Sequence, residues 1–501
     1  MSQLLWTKNI DRLVEQAEDP ERRLRKTLGP WGLTAMGVGA VIGTGIFILT
    51  GTAAAGESVA MPSVLKAPLL DLLLHGRQAL SVTGRPGAGP GIALSYLLTA
   101  VACGFAALCY AELASMIPIA GSAYTYAYAT LGEIFAWIIG WDLILEYAIG
   151  NTAVAVGFSG YFNDVLESLF GVALPPKLCN PIIAGGTYTG NWFNVPATLI
   201  MVLLTALLVR GVRESAAANT IMVGVKVGAI LIFVFSAAHA VHTEHWHPFL
   251  PNGFQGVLTG AAVVFFSYIG FDSISTAAEE CRRPQRDLPI GILATLAICA
   301  TLYVAVALVL TGIADWRTLN NAAPVANALK ALGMERVRQL VGLGAIAGML
   351  SVLLVFTYGQ ARIWFAMSRD GLLPPVFSRI HPRYQTPHVS TWVAGLAAGI
   401  PAGVWDIGTF ADLTNIGTLF AFIVVSAGVI LLRRTQPERR RSFRVPWVPW
   451  TPLLSAACCL ILMTSLPLET WVRFFVWLGI GLGIYFLWGR KHSGFAAAEG
   501  K

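Results

Sequence analysis

The stretch Gly37-Val-Gly-Ala-Val-Ile-Gly-Thr-Gly-Ile-Phe47 decides the reading of this chain. It lies inside an apolar run, Gly32–Ala54. Such a run is long enough to cross a bilayer, which takes roughly 20 mostly apolar residues. Yet four glycines fall within nine of its residues, and each weakens a helix by roughly 1 kcal/mol. In hydrocarbon, a broken helix leaves peptide groups unpaired. That is tolerated only where backbone is buried in protein or lines a wet cavity. Gly43-Thr44-Gly45 is therefore a candidate unwound segment. Close helix packing through Gly39 and Gly43 is the competing reading, and Gly45 fits it less well.

A second interruption lies further along, in Phe265-Phe-Ser-Tyr-Ile-Gly-Phe-Asp-Ser273. Glycine and a carboxylate again break an apolar run. Counting apolar stretches gives twelve spans: Gly32–Ala54, Gly91–Leu113, Ile134–Tyr161, Val195–Val209, Ala218–Ala238, Val257–Ala278, Leu288–Gly312, Val341–Met367, Val389–Val404, Thr409–Leu432, Pro449–Leu466 and Trp471–Trp488. The interruptions fall in spans one and six. Breaks at matching places in two halves point to an inverted-repeat transporter with a site near the midplane. A half-helix N-terminus presents N–H groups and suits a carboxylate. Freed carbonyls suit an ammonium. Together they match the zwitterionic end shared by all L-amino acids.

Composition agrees with one integral membrane domain. Of 501 residues, 55% are hydrophobic and 12% charged, against roughly 25% charged in soluble domains. Residues 1–30 are polar, so no cleavable signal is expected. The seven cysteines lie mostly in apolar runs and read as small buried residues. The net charge of +7 reflects basic loops at helix ends, not nucleic-acid binding. Lys and Arg number 24 on the side of the termini and 9 on the other, which places both termini in the cytoplasm. The expected organisation is a cytoplasmic N-terminal segment (1–31), a transmembrane domain (32–488) and a cytoplasmic tail (489–501). The outer loop 57–90 is a gate or surface decoration. An enzyme would need a nucleophile–base pair or a metal motif within the spans, and neither is present.

Five further strings carry a family resemblance: Tyr110-Ala-Glu-Leu-Ala114, Pro118-Ile-Ala-Gly-Ser-Ala-Tyr-Thr-Tyr126, Gly140-Trp-Asp-Leu-Ile-Leu-Glu-Tyr147, Phe266-Ser-Tyr-Ile-Gly-Phe-Asp272 and Arg362-Ile-Trp-Phe-Ala-Met-Ser-Arg-Asp-Gly-Leu-Leu-Pro374. With Gly39–Phe47 they resemble the amino acid–polyamine–organocation (APC) superfamily, and within it the cationic amino acid transporters, including bacterial members. The resemblance implies an all-α membrane protein with a LeuT-like 5+5 inverted repeat (about 32–238 and 254–432). Two extra helices follow (about 449–488). It implies proton-coupled carriage of an L-amino acid across the cell membrane by alternating access, with no other cofactor. Ile42, Gly43, Thr44 and Gly45 would then face the substrate carboxylate. Phe266 and Ile269 would supply carbonyls and apolar wall. Phe356 would shape the side-chain pocket, and its bulk favours small neutral substrates over arginine or lysine. A cationic transporter, an exchanger and a non-transporting amino-acid sensor remain alternatives. The oligomeric state is open, a monomer included.

Lys226 is the one basic residue inside a span. A charge in that place is a functional candidate by default, and burial favours the neutral amine. Snorkelling to the interface competes with that reading, because the residue lies roughly 12 Å into its span. The resemblance implies a proton-coupling lysine here. Glu112 ends span two, in the cytoplasmic gate region, and Asp272 follows the second break; with Glu146 they are gating or structural polar residues. Asp142 and Glu146 share a helix face and are candidates for pairing with an outer basic residue. Tyr124, Tyr126 and Tyr128 share no helical face, and interfacial anchoring is their expected role. His239, His242, His245 and His247 surround Glu244 without an HExxH pattern, so no metal is expected.

Overall fold

The computed structural model describes residues 5–8, 10–11, 28–58, 64–76, 84–119, 121–184, 187–210, 215–384 and 386–494. Residues 12–27 of the expected N-terminal segment, 59–63 and 77–83 of the insertion, and 495–501 of the tail lie outside these. Each of the twelve apolar stretches is helical. α1 (Pro30–Val41) breaks, and the chain resumes as a π-turn (Gly45–Leu49) running into α2 (Thr50–Ala55). Then come α3 (Ile92–Met116), the short α4 (Ser122–Thr130), α5 (Glu133–Phe170), α6 (Val195–Arg210), α7 (Ser215–Ala237) and α8 (Gly253–Val264). They are followed by α9 (Pro284–Ile313), α10 (Glu335–Arg369), α11 (His388–Val404), α12 (Ile407–Thr435), α13 (Trp450–Thr464) and α14 (Leu468–Ile484). Proline opens α1 and α9, where its missing N–H would have had no helical partner.

Among the described residues, eight helices are long and apolar enough to cross a bilayer, and α1 with its bent continuation makes a ninth. α6, α11 and α13 are shorter, at 16, 17 and 15 residues. The chain is thus a mostly helical, multi-pass membrane protein. Two helices outrun their apolar stretches. α5 continues past Tyr161 through Asp164 because Arg338, near the start of α10, meets that carboxylate inside the fold. Both residues are buried, so hydropathy alone ends α5 too early and starts α10 too late.

α5 packs along α10 and α12, and α3 along α9 and α13. The span Gly253–Ala278, α8 with the segment after it, lies at the centre: 94% of its most apolar window is buried, against 22% for the last span, Leu468–His492. The described ends meet on one face. Lys8 pairs with Asp370 at 2.6 Å, and the Gly494 N–H donates to Asp370 O.

The outer insertion is tied down at several points. β1 (Gly56–Ser58) pairs antiparallel with β2 (Gly84–Pro86). A short helix, Leu69–His75, sits on the α13–α14 turn through Leu69 N–H to Leu466 O and Leu468 N–H to Ala67 O. Arg85 meets Asp412 of α12 at 2.7 Å, with both side chains buried.

Two sequence expectations are corrected, those for the α4 tyrosines and for Asp142 with Glu146. Tyr124, Tyr126 and Tyr128 are buried, not interfacial, because α4 is enclosed by α5, α12 and the segment after α8. Tyr124 donates to Asp370 and Tyr128 to Glu133. Among the described residues, Asp142 and Glu146 have no basic partner, and Asp142 faces Gly417 of α12 inside the bundle. Glu112 is a tie between elements: Arg433 donates to both its oxygens (2.8 and 2.7 Å), Arg441 lies 3.2 Å away and Val445 N–H donates at 2.7 Å. The seven cysteines are free thiols, six of them buried, as expected.

Removing one partner of a buried ion pair strands the other charge, at about 3–5 kcal/mol. Glu112→Ala should therefore lower the melting temperature of the purified protein markedly. Glu469→Ala, between the exposed Lys66 and Arg473, should change stability by about 1 kcal/mol or less. Equal shifts in a thermal unfolding assay would contradict this assignment.

Candidate functional site

The last carbonyls of a helix have no intrahelical donor. α1 ends deep in the bundle, so its carbonyls must find partners there. Ile42 leaves the helix at φ −81°, ψ 105°, and Gly43 and Thr44 carry the chain to the π-turn at a bend of 46°. The break covers Ile42–Thr44, one residue earlier than the sequence suggests. Lys226 of α7 fills the gap. Its Nζ donates to Gly39 O (2.7 Å), Ile42 O (2.8 Å) and Ser351 Oγ of α10 (2.8 Å). An ammonium has three N–H donors, and here it has three acceptors. The negative end of the α1 dipole adds to the attraction. Lys226 is fully buried and points at α1. The snorkelling alternative is thereby excluded, since the amine is satisfied inside the protein.

The second break follows a short 3₁₀ turn, Phe265–Tyr268. Ile269 is extended and Gly270 has φ 114°. This left-handed region suits glycine alone, and an added Cβ would also press on Ala40 O at 3.1 Å. A ten-residue 3₁₀ helix, Phe271–Glu280, then leads away. Asp272, in its first turn, accepts from Ser122 Oγ at 3.1 Å. Asp272 therefore ties the broken segment to α4.

The two breaks touch. A Cβ on Gly45 would come within 2.6 Å of Ser267 Cα, so only glycine lets the π-turn approach the other break this closely. Phenols pin both. Tyr303 Oη of α9 lies 3.0 Å from Val41 O and 2.7 Å from Ser267 O. Tyr96 Oη of α3 lies 2.7 Å from Thr50 Oγ1 and 3.3 Å from Gly45 O. Ser351, Tyr303 and Tyr96 carry no sequence signal of this role, because each sits in an ordinary apolar helix.

Around the breaks, α5 and α10 form the wall. Phe356 packs on Tyr147 at 5.1 Å between ring centres and lies against Gly150. Gly157 of α5 faces Thr44. Ile42, Thr44, Phe266, Ile269 and Phe356 are all buried. Several buried polar atoms have no partner among the described residues: Thr44 Oγ1, Tyr147 Oη and both amide atoms of Asn151. Buried polar groups are normally hydrogen-bonded, so such a group marks a place built for a polar ligand. Of the predicted residues, the structure brings Ile42–Gly45, Phe266, Ile269, Phe356 and Lys226 to the breaks or their wall. Glu112 lies elsewhere. The outer histidines fold against the end of α9, with His245 Nδ1 at 2.9 Å from Gly312 O.

Two broken helices thus meet inside the helical bundle, beside polar groups with no partner among the described residues. Comparison with known proteins gives the class, a permease. The family described as amino acid permease matches residues 28–485. A methylthioribose transporter of Bacillus subtilis is 44% identical over 493 residues, 98% of this chain and 99% of the relative. The branched-chain amino acid permease BcaP of the same organism is 45% identical over 97% of both chains. Cationic amino acid transporter 9 of Arabidopsis thaliana, a chloroplastic protein, is 37% identical over 84% of this chain and 68% of its own length. This chain belongs to the amino acid permease family of the APC superfamily.

Gly45→Ala drives a methyl group into the Ser267 backbone. Overpacking of this kind costs about 1–3 kcal/mol and should separate the breaks. Labelled amino-acid binding to the purified variant should fall about five- to hundredfold, at 1.4 kcal/mol per decade. Wild-type affinity in a scintillation proximity assay would show that the close approach is dispensable.

Proposed function

We propose that this protein is a secondary active transporter of L-amino acids. It couples uptake to protons by alternating access. In this reading the twelve helical stretches all cross the bilayer in a LeuT-like 5+5 arrangement followed by two further helices, and both termini are cytoplasmic. The meeting of both described ends at Asp370 supports an even number of crossings.

The observation that carries the proposal is the three-acceptor cage around Lys226. A charged lysine fills it completely. A neutral amine has two N–H donors and a lone pair, so it keeps Ser351 only if that hydroxyl turns to donate to it and gives up its own bonds to Gly39 O and Gly348 O. Loss of the proton would thus free part of the α1 break, whose next residues face the substrate. Gly43, Thr44 and Gly45 would receive the carboxylate at the start of the second half-helix. Carbonyls near Phe266 and Ile269 would receive the ammonium. The side chain would point towards Phe356, which leaves room for small neutral residues.

The test is uptake in proteoliposomes under an imposed pH gradient. Wild-type protein should accumulate alanine with the gradient, and Lys226→Ala should lose that dependence. Proton-driven uptake unchanged in Lys226→Ala would refute the coupling role. The substrate panel should include leucine, arginine and methylthioribose, given the relatives named above. Phe356→Ala should narrow the preference for alanine over leucine by roughly tenfold, the weight of a few methylenes in an apolar pocket. Competition assays check this, and a shift the other way would move the side-chain pocket elsewhere.

A further inference from the structure

A cavity of about 530 Å³ lies between α5, α10, α11, α12 and α14. The residues of the two helix breaks do not line it. Its size falls within the range of small-molecule pockets, and so does its character: apolar and aromatic walls with a few placed polar groups. Trp141 and Trp477 form one wall, stacked at 4.4 Å between ring centres. Their N–H groups are already bonded to each other's backbone carbonyls.

Two other lining groups are not satisfied. Gln360 of α10 is fully buried and donates Nε2 to Ile144 O at 2.9 Å. That bond turns its Oε1 the other way, and Oε1 has no partner. Four residues on, the Trp364 N–H has none either. An acceptor and a donor thus stand one helical turn apart, about 6 Å along α10. Unpaired polar groups at membrane depth are costly, so the pair calls for a ligand that both donates and accepts.

The mouth of the cavity indicates where that ligand comes from. Arg473 and Ala397 are exposed there. Around them α11 and α14 turn Leu396, Ile400, Val472 and Phe475 outward, a surface that faces lipid. The rim keeps a positive charge, because Arg473 and Lys66 share a single carboxylate, Glu469, at 3.5 and 2.8 Å.

We propose that this cavity binds one anionic phospholipid with a hydroxylated head group, drawn from the bilayer. The phosphate lies against Arg473. A head-group hydroxyl donates to Gln360 Oε1 and accepts from Trp364 Nε1. An acyl chain runs along the indole wall.

Native mass spectrometry on delipidated protein, titrated with phosphatidylglycerol or phosphatidylcholine, tests this. Wild-type protein should retain one phosphatidylglycerol in preference to phosphatidylcholine. Arg473→Gln should weaken retention about fivefold, the weight of one basic residue near an anionic lipid. Ala397→Trp, at an exposed position on the mouth, should block the site without touching its polar groups. Gln360→Leu with Trp364→Phe removes the hydroxyl partners and should abolish the head-group preference. Size-exclusion profiles establish that each variant is folded, and should one fail, the others carry the test. Equal retention of both lipids by wild type, no retention, or wild-type retention by Ala397→Trp would overturn the proposal.

Discussion

The structure depends on how a helix that stops in mid-membrane satisfies its own carbonyls. α1 ends at Val41 with polar backbone exposed to the protein interior. The hydrocarbon around the bundle offers no hydrogen bonds to complete it. One cation, Lys226, and one phenol, Tyr303, take up that backbone. The rest is arranged to bring them there: α7 delivers the lysine, α9 the tyrosine and α10 the serine that completes the ammonium's shell. Glycines at 45 and 270 then let the second break lie directly against the first.

Much of this was legible in the sequence, for identifiable reasons. Apolar stretches report helices well: each of the twelve is helical, and eight, or nine with α1 and its continuation, are long and apolar enough to cross a bilayer. The glycine-rich interruptions gave both breaks, the first displaced by one residue because Ile42 already takes the extended conformation. Lys226 stood out as a charge where charges are costly. Its partners did not. They are backbone carbonyls and a serine 125 residues away, and no residue type advertises a carbonyl. Helix ends were misread wherever a buried ion pair prolongs the helix, as Asp164 and Arg338 do.

Polar residues in apolar runs were located correctly but their company was not. Glu112 is tied to Arg433 and Arg441 from the far end of the chain. Asp142 and Glu146 face inward instead of meeting outer cations. The tyrosines of α4 were expected at an interface because their spacing fits no single face. That spacing instead fits a short helix enclosed on every side. The insertion likewise gave no warning that Arg85 would be buried against Asp412.

Tyr303 has one more implication. Its hydroxyl lies within reach of Val41 O and of Ser267 O, yet a phenol carries one hydrogen. It can satisfy one carbonyl fully only by slighting the other. The two hinges therefore compete for a shared proton, and a small rotation about one C–O bond suffices to favour either. A junction of that kind makes their movements interdependent without any residue travelling far.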